Sequence, residues 1–337
     1  MDKAKYYICL HEIFTIKINT TQVEKPVICI GAALVDELYS TSKPILLATT
    51  NDAQVHRSAG GVARNIAHQL ALLNVPVQLI SVFGNDGEGD WLKTICSYVN
   101  IKLDAAITNQ ALTGKYTGIL NNDRSLFTAF LTNTSLDAIT PQHLQNNEAL
   151  LSTAFCIIAD ANIHPDSVAW LALFCHRNNI PFIIEPVSVP PAQKFAKMNL
   201  KGIHMITPNE DELPAMCSFG GTTFEENAKE LLERGVEKVW LHRGKRGSML
   251  FTQENTYSLD APPVDDSEIK DVTGAGDGSL SGWLMGKYLG KDDEDCLKIS
   301  HTLSAEILQV NGAIATHLNQ QNLLQLVDKY YEGRTFL

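Results

Sequence analysis

GGVARNIAHQLALLNVPVQLISVFGNDGEGDWLKTICSYV, residues 60–99, reads as helix, strand, helix. In NIAHQLALLN (65–74) Ile66, Leu70 and Leu73 fall on one face at helical spacing. VQLISVFG (77–84) is a short apolar run bounded by turn residues, the pattern of a buried strand, and GDWLKTICSYV (89–99) is helical again. The alternation extends in both directions. VICIG (27–31), AFCIIAD (154–160), PFIIEP (181–186), GIHMITP (202–208) and KVWLHRG (238–244) read as strands, separated by helical segments such as 165–178 and 223–234. Repeated strand–helix units imply an α/β fold with a mostly parallel central sheet in three layers. Residues 35–58 and 112–131 break the pattern. They contain β-like runs, YTGIL and SLFTAFL, with no helix after them. They are expected to form a small separate β sheet, a lid over one end of the main sheet. Substrate would lie between that lid and the C-terminal ends of the strands, where open α/β sheets bind ligands.

The chain has 337 residues, 45% of them hydrophobic and 19% charged. That balance excludes a disordered chain, a collagen and a coiled-coil rod. The length allows two domains or one large α/β unit. No apolar run approaches the roughly 18 residues of a membrane span. The net charge of −11 argues against nucleic acid as a partner, since a phosphate backbone needs a basic footprint. Seven cysteines, none at CxxC spacing and several inside apolar runs, read as reduced buried thiols of a cytoplasmic protein. Residues 1–25 read as an N-terminal extension. They lack a sustained apolar region and a small-residue cleavage site, so no signal peptide is expected.

DVTGAGDGSLSGWLMG (271–286) carries the most chemistry. Gly274, Ala275 and Gly276 are small residues at a helix start. They let a ligand approach the backbone, and the free N–H groups with the helix dipole attract an anion. Asp277 sits in that first turn, where a carboxylate repels a phosphate unless it has other work. It is either a base that takes a proton from an attacking hydroxyl or a helix cap. In SAGGVARNIAHQLALL (58–73), Gly60 and Gly61 precede a helix, and Asn65 either binds a sugar hydroxyl or caps the turn. A P-loop GxxxxGK[ST], a GxSxG elbow and an HExxH pair are all absent. TGAGDG is not GxGxxG and comes late in the chain, which speaks against a dinucleotide site. The acidic run KDDEDC (291–296) reads as a solvated helix start, and the ten histidines show no ligand spacing.

The segments GGVARNIAHQLALLNVPVQLISVFGNDGEG (60–89) and DVTGAGDG (271–278) resemble, in order and separation, the two signatures of the ribokinase-like carbohydrate kinases, the PfkB family. The resemblance spans about residues 26–330 and implies a ribokinase-like kinase domain over 26–337. Within the family GGVARN, ADANI (159–163) and EPVS (185–188) look most like the pseudouridine kinases. The resemblance implies ATP-dependent phosphorylation of a primary hydroxyl. Pseudouridine is the expected substrate, with a ribose, adenosine or fructose type of substrate as the alternative. A catalytically silent sugar- or nucleotide-binding protein is the alternative of another class. Asp277 matches the catalytic base, and the Gly274–Asp277 backbone the anion hole. Asp36, Gly60, Gly61 and Asn65 match the sugar contacts. Asn209 and Glu212 in TPNEDE match the pair that organises Mg²⁺ and phosphates through water. Gly244 and Gly247 match a turn near the nucleotide phosphates, and Asp271 and Thr273 the surroundings of a monovalent cation such as K⁺.

Three positions depart from the family pattern. Leu34 stands where many members have Asn, Val62 where ribokinases have Lys, and Leu131 and Thr132 where bacterial pseudouridine kinases carry an acidic lid residue. Val62 and Leu34 suit an apolar, base-sized pocket. Arg64 adds a fork of donors for a base carbonyl or ribose oxygen. Tyr116 is a candidate to stack on the base, and Asn162 in ADANI a further substrate contact. An exposed lid edge needs cover, which makes a homodimer through the lid the expected assembly.

Overall fold

Val27–Ile30 forms strand β1 with all four side chains buried, as expected of a strand covered on both faces. The computed structural model describes residues 24–132 and 134–331. Most of the expected extension, residues 1–23 with Cys9, lies outside them, as do 332–337. β1 pairs in parallel with β4 (Val77–Ile80) and β9 (Cys156–Asp160). The sheet continues in parallel through β10 (Phe182–Glu185), β11 (Met205–Ile206) and β12 (Lys238–His242). β13 (Ser248–Thr252) and β14 (Thr256–Leu259) close it antiparallel. The order is β14-β13-β12-β11-β10-β9-β1-β4.

Alternate side chains go to opposite faces. Ile28, Ile30, Ile157, Ala159, Ile184 and Leu241 join one core. Val27, Cys29, Ile158, Ile183, Met205 and Trp240 join the other. The first core is covered by α3 (Pro141–Asn146), α4 (Glu148–Leu151), α5 (Pro165–Asn178), α6 (Val189–Ala192), α7 (Glu212–Ala215) and α8 (Phe224–Glu233). The second is covered by α1 (Val62–Leu72), α2 (Gly87–Tyr98), α9 (Ala275–Tyr288), α10 (Asp293–Leu308) and α11 (Gln320–Tyr331). The three expected layers are present.

The run 77–84 is not one strand. The β1 partner strand ends at Ile30, and beyond Ser81 the chain turns away as β5 (Val82–Gly84) to pair with β6 (Ile107–Asn109). The separate small sheet has four strands in the order β3-β2-β7-β8. They are β2 (Leu34–Ser40), β3 (Gln54–Gly60), β7 (Lys115–Leu120) and β8 (Leu126–Thr132). Lys115 on β7 binds Glu88 of α2 at 2.9 Å and Glu37 of β2 at 3.1 Å, and Arg57 of β3 pairs with the same two carboxylates. These four charges tie the small sheet to the N-terminus of α2.

Candidate active site

The first turn of α9 brings Asp277 into the neighbourhood of Asp160 and Glu185, the last residues of β9 and β10. Gly274 is its N-cap, with φ 79° and ψ 0°, and no side chain caps the helix. A Cβ at Gly274 would strike Ala313, so both the left-handed backbone and the close approach require glycine here. Nothing lies within 4 Å of a Cβ placed on Gly276, so the first turn is open on that side. Its leading N–H groups have no intrahelical acceptor and form a ready anion site. Asp277 does not cap α9. It is the third helical residue, buried at 8% exposure, and its Oδ2 accepts from Asn65 Nδ2 at 2.8 Å. Burial pushes its carboxyl up to about 6, against the downward pull of the Asn65 hydrogen bond and the Arg64 charge. A carboxylate near neutrality is suited to taking a proton.

Asn65 does not cap α1 either. That helix starts at Val62, with Gly61 as N-cap at φ 95°. A Cβ on Gly61 would run into the Ala32 carbonyl. Arg64 serves differently from expectation. It is 1% exposed, and its guanidinium donates to Gly60 O (Nε, 2.9 Å) and Ala59 O (2.8 Å) and to Asn65 Oδ1. Its remaining arm meets His68 Nδ1 at 3.0 Å. Burial and the Arg64 charge lower His68 to about 4, so it is the neutral acceptor there. The guanidinium is thus committed to the protein and holds the end of β3 and the Asn65 amide in place.

Asp36 lies across from Ser58 on β3 and Tyr116 on β7, so the three share one face of the small sheet. A Cβ on Gly60 would collide with the Asp36 carboxylate. Burial raises Asp36 to about 6, offset by Arg64 and reinforced by Asp271. Tyr116 packs partly into the first core, and Leu131 stands opposite it on β8, 54% exposed. Leu34 belongs to the first core, and Val62 packs on the second.

Two acids escaped the sequence reading. Asp160, fully buried at the end of β9, accepts from Ala32 N (2.7 Å), Ala63 N (3.2 Å) and Asn162 N (3.1 Å). It fastens the turn after β1 to the start of α1 and fixes the backbone at Asn162. Glu185, at the end of β10, accepts from Val187 N at 2.8 Å. Val187 takes φ 70°, a strained setting for a β-branched residue. Burial and the charges of Asp277, Glu212 and Asp160 push Glu185 well up. The residues ADANI and EPVS carried both acids, but only burial marks them out.

Asn209 and Glu212 form one turn: Glu212 Oε2 accepts from Asn209 N, and Asn209 Oδ1 from Glu212 N, both at 2.9 Å. No group of three metal-ligating side chains occurs among the described residues. Magnesium held on phosphates needs only one or two protein carboxylates, often through water. Glu212 and Glu185 provide that donor chemistry. On the other side of α9, Gly244, Gly247, Ala275 and Gly276 line a cavity of about 580 Å³ with Pro262 and Ala305. Asp271 binds Thr273 N at 2.9 Å and Gly312 N at 3.2 Å, which places it beside this turn. The expected residues therefore gather around two ends of one helix start: Asp36, Gly60, Asn65 and Asp277 on one side, Gly244, Gly247 and Gly276 on the other.

Residues 25–320 match the model of the pfkB family of carbohydrate kinases. The pseudouridine kinase of Escherichia coli is 27% identical over 308 residues, covering 90% of this chain and 96% of its own. An uncharacterized sugar kinase of the same bacterium is 28% identical over 331 residues, covering 96% and 86%. Among solved structures, Arabidopsis thaliana ribokinase in complex with ribose and ATP superposes with a TM-score of 0.77 at 22% identity, covering 90% and 98%. The ribokinase of Thermotoga maritima reaches 0.80 at 19%, covering 90% and 99%. With its family signatures set around the start of α9 on a ribokinase-like fold, the chain belongs to the pfkB family of carbohydrate kinases and is a phosphotransferase acting on a hydroxyl group of a sugar or nucleoside.

Proposed function

We propose that the chain phosphorylates a nucleoside at its primary hydroxyl with ATP, and that the reaction is pseudouridine to pseudouridine 5′-phosphate. The observation that carries the chemistry is the buried Asp277 carboxylate, hydrogen-bonded to Asn65 in the first turn of α9. Asp277 takes the proton of the substrate hydroxyl, whose oxygen attacks the γ-phosphorus as the bond to ADP breaks. The N–H groups of Gly276 and Asp277, at the positive end of α9, receive the charge on the transferring oxygens. Asp36, Gly60, Gly61 and Asn65 hold the ribose, Asn162 adds a polar contact, and Tyr116 stacks on the base. Arg64 is a positioning residue for Asn65. The ATP phosphates run past Asn209, Gly244 and Gly247. Glu212 would hold, through water, the magnesium that accompanies ATP, which would supply neutralisation of the phosphate charge. K⁺ beside Asp271 and Thr273 would steady the anion hole.

The substrate assignment is supported by the Escherichia coli pseudouridine kinase relative and by apolar Leu34 and Val62 in place of polar sugar contacts. A homodimer through the face of the small sheet turned away from Asp36 would cover Val55 and Phe130, each more than half exposed. Cytoplasmic residence fits the six free, buried cysteines of the described residues. No helix among the described residues is long and apolar enough to cross a membrane. A coupled assay over a panel of nucleosides and free sugars tests the reading. Pseudouridine should give the highest kcat/KM; a free sugar above every nucleoside would overturn the substrate, and no turnover with any acceptor would overturn the kinase mechanism.

A further inference from the structure

The segment that leads into α9 has little packing of its own. Residues 261–274 form no strand or helix, and Val272 is 70% exposed. Behind them runs the chain that leaves α10. Lys270 N donates to Leu308 O at 2.8 Å, and Gly312 N donates to the Asp271 carboxylate at 3.2 Å. Gly274 lies so close to Ala313 that a Cβ placed on it would stand 2.4 Å from the alanine methyl. Residues 309–319 are themselves neither strand nor helix. The place of the Gly274 peptide therefore depends on what holds residues 309–319.

Gln69 of α1 reaches them. It is 1% exposed, and its Oε1 accepts from the N–H of buried Ala315 at 3.0 Å. Its Nε2 has no hydrogen-bond partner among the described residues, so the amide acts through its oxygen alone. An unpaired buried donor costs stability, a cost that an apolar side chain of the same length would avoid. Asn65 stands one turn earlier on the same side of α1 and donates to Asp277 at 2.8 Å. Two successive amides of one helix thus reach the carboxylate in the first turn of α9 and the segment that backs that turn.

We propose that Gln69 is a positioning residue for phosphoryl transfer: through Ala315 it fixes residues 309–319 against Gly274 and so holds the leading N–H groups of α9 where the transferring phosphate needs them. The inference rests on reading the first turn of α9 as the anion site. Fixed donors act on charge that develops in the transition state, so loosening them lowers kcat and leaves substrate binding nearly unchanged. Gln69→Met removes the bond with an unbranched side chain that suits a helix. It exchanges one unpaired buried donor, Nε2, for another, Ala315 N, so stability changes little.

The test uses the full chain with ATP, magnesium and the best acceptor. In Gln69→Met, kcat should fall about tenfold or more, with both KM values within about threefold of wild type, the mark of an interaction made in the transition state. Its melting temperature should stay within a few degrees of wild type. The second readout is nitrate, a planar trigonal anion like the phosphoryl group in flight, added with ADP, magnesium and acceptor. In the wild type, nitrate and ADP should tighten each other's binding; in Gln69→Met the nitrate constant should rise about tenfold while ADP alone binds as before. An unchanged kcat, or a loss seen in KM rather than kcat, overturns the proposal. If Gln69→Met melts below assay temperature, Gln69→Leu takes its place. The wild type offers a measurement of its own: the Ala315 amide should resist hydrogen exchange, and exchange at the rate of an exposed loop overturns the proposal. Nitrate and ADP that bind the wild type no more tightly together than apart would overturn the anion-site reading itself, whereas a mutual tightening kept intact in Gln69→Met would overturn the role of Gln69 alone.

Discussion

Replacing Asp277 by Asn keeps the shape of the side chain and leaves an oxygen to accept from Asn65, but removes the base. Loss of a general base costs about 10²–10⁴ in rate, or about 3–5 kcal/mol of barrier. Turnover with the best acceptor should fall by at least about a hundredfold, with KM values changed far less. The same substitution should stabilise the fold. Asp277 rises from an ordinary 3.8 to about 6 because burial disfavours its charge. Below pH 3.8 the group is protonated both folded and unfolded, and it contributes nothing to stability. Between 3.8 and 6 the unfolded chain ionises first, so stability falls as pH rises. Above 6 the full penalty is present, at about 1.4 kcal/mol per pH unit and so up to about 3 kcal/mol. Asp277→Asn does not carry that penalty. At pH 7 its melting temperature should exceed that of the wild type by a few degrees, and the gap should close towards pH 4. A coupled kinase assay and calorimetry at both pH values measure the two effects separately. A variant keeping more than about a tenth of wild-type kcat would remove Asp277 from the mechanism. A lower melting temperature at pH 7 would refute the argument that its buried charge is costly.

Asn65→Ala removes the hydrogen bond that holds Asp277 down, so the acid limb of the kcat/KM profile should move upward from about 6; an unmoved limb would sever Asn65 from the base. Arg64→Ala strips donors from Gly60 O, Ala59 O and the Asn65 amide, and should destabilise the chain by about 2–5 kcal/mol on chemical denaturation. It should also lower turnover of pseudouridine and ribose alike, whereas a selective loss of pseudouridine would show a direct contact with the base. Pseudouridine should exceed free ribose by at least about 10²-fold in kcat/KM, since a site that pairs polar groups on the base leaves them unpaired with ribose; equal efficiencies would end the pseudouridine assignment. Phe130→Asp on the exposed face of β8 should give a monomer by light scattering, and a wild-type chain that is monomeric at micromolar concentration and above would refute assembly through this sheet.

The layered fold was legible along the chain because its signals are local, and the segments of the proposed site were picked out by equally local signals. VICI, CIIA and FII are continuous apolar runs, the mark of strands buried on two faces, and Pro165–Asn178 declared a helix to its last residue. The glycines before α1 and α9 announced backbones that a ligand approaches. Boundaries that depend on a partner were not legible: the run 77–84 divides at Ser81 only because β1 ends beside it. The roles within the site were also decided in three dimensions. By sequence alone, Asn65 and Asp277 each had a capping role as an alternative; 212 residues apart, they bind one another instead, since α1 and α9 pack side by side. Arg64 looked like a donor for substrate, but the end of β3 folds back over it and takes its hydrogens. Asp160 and Glu185 passed as ordinary strand ends until burial gave their charges weight. Periodicity and turn chemistry belong to neighbouring residues and can be read from order alone; burial and the meeting of distant side chains exist only once the layers have packed.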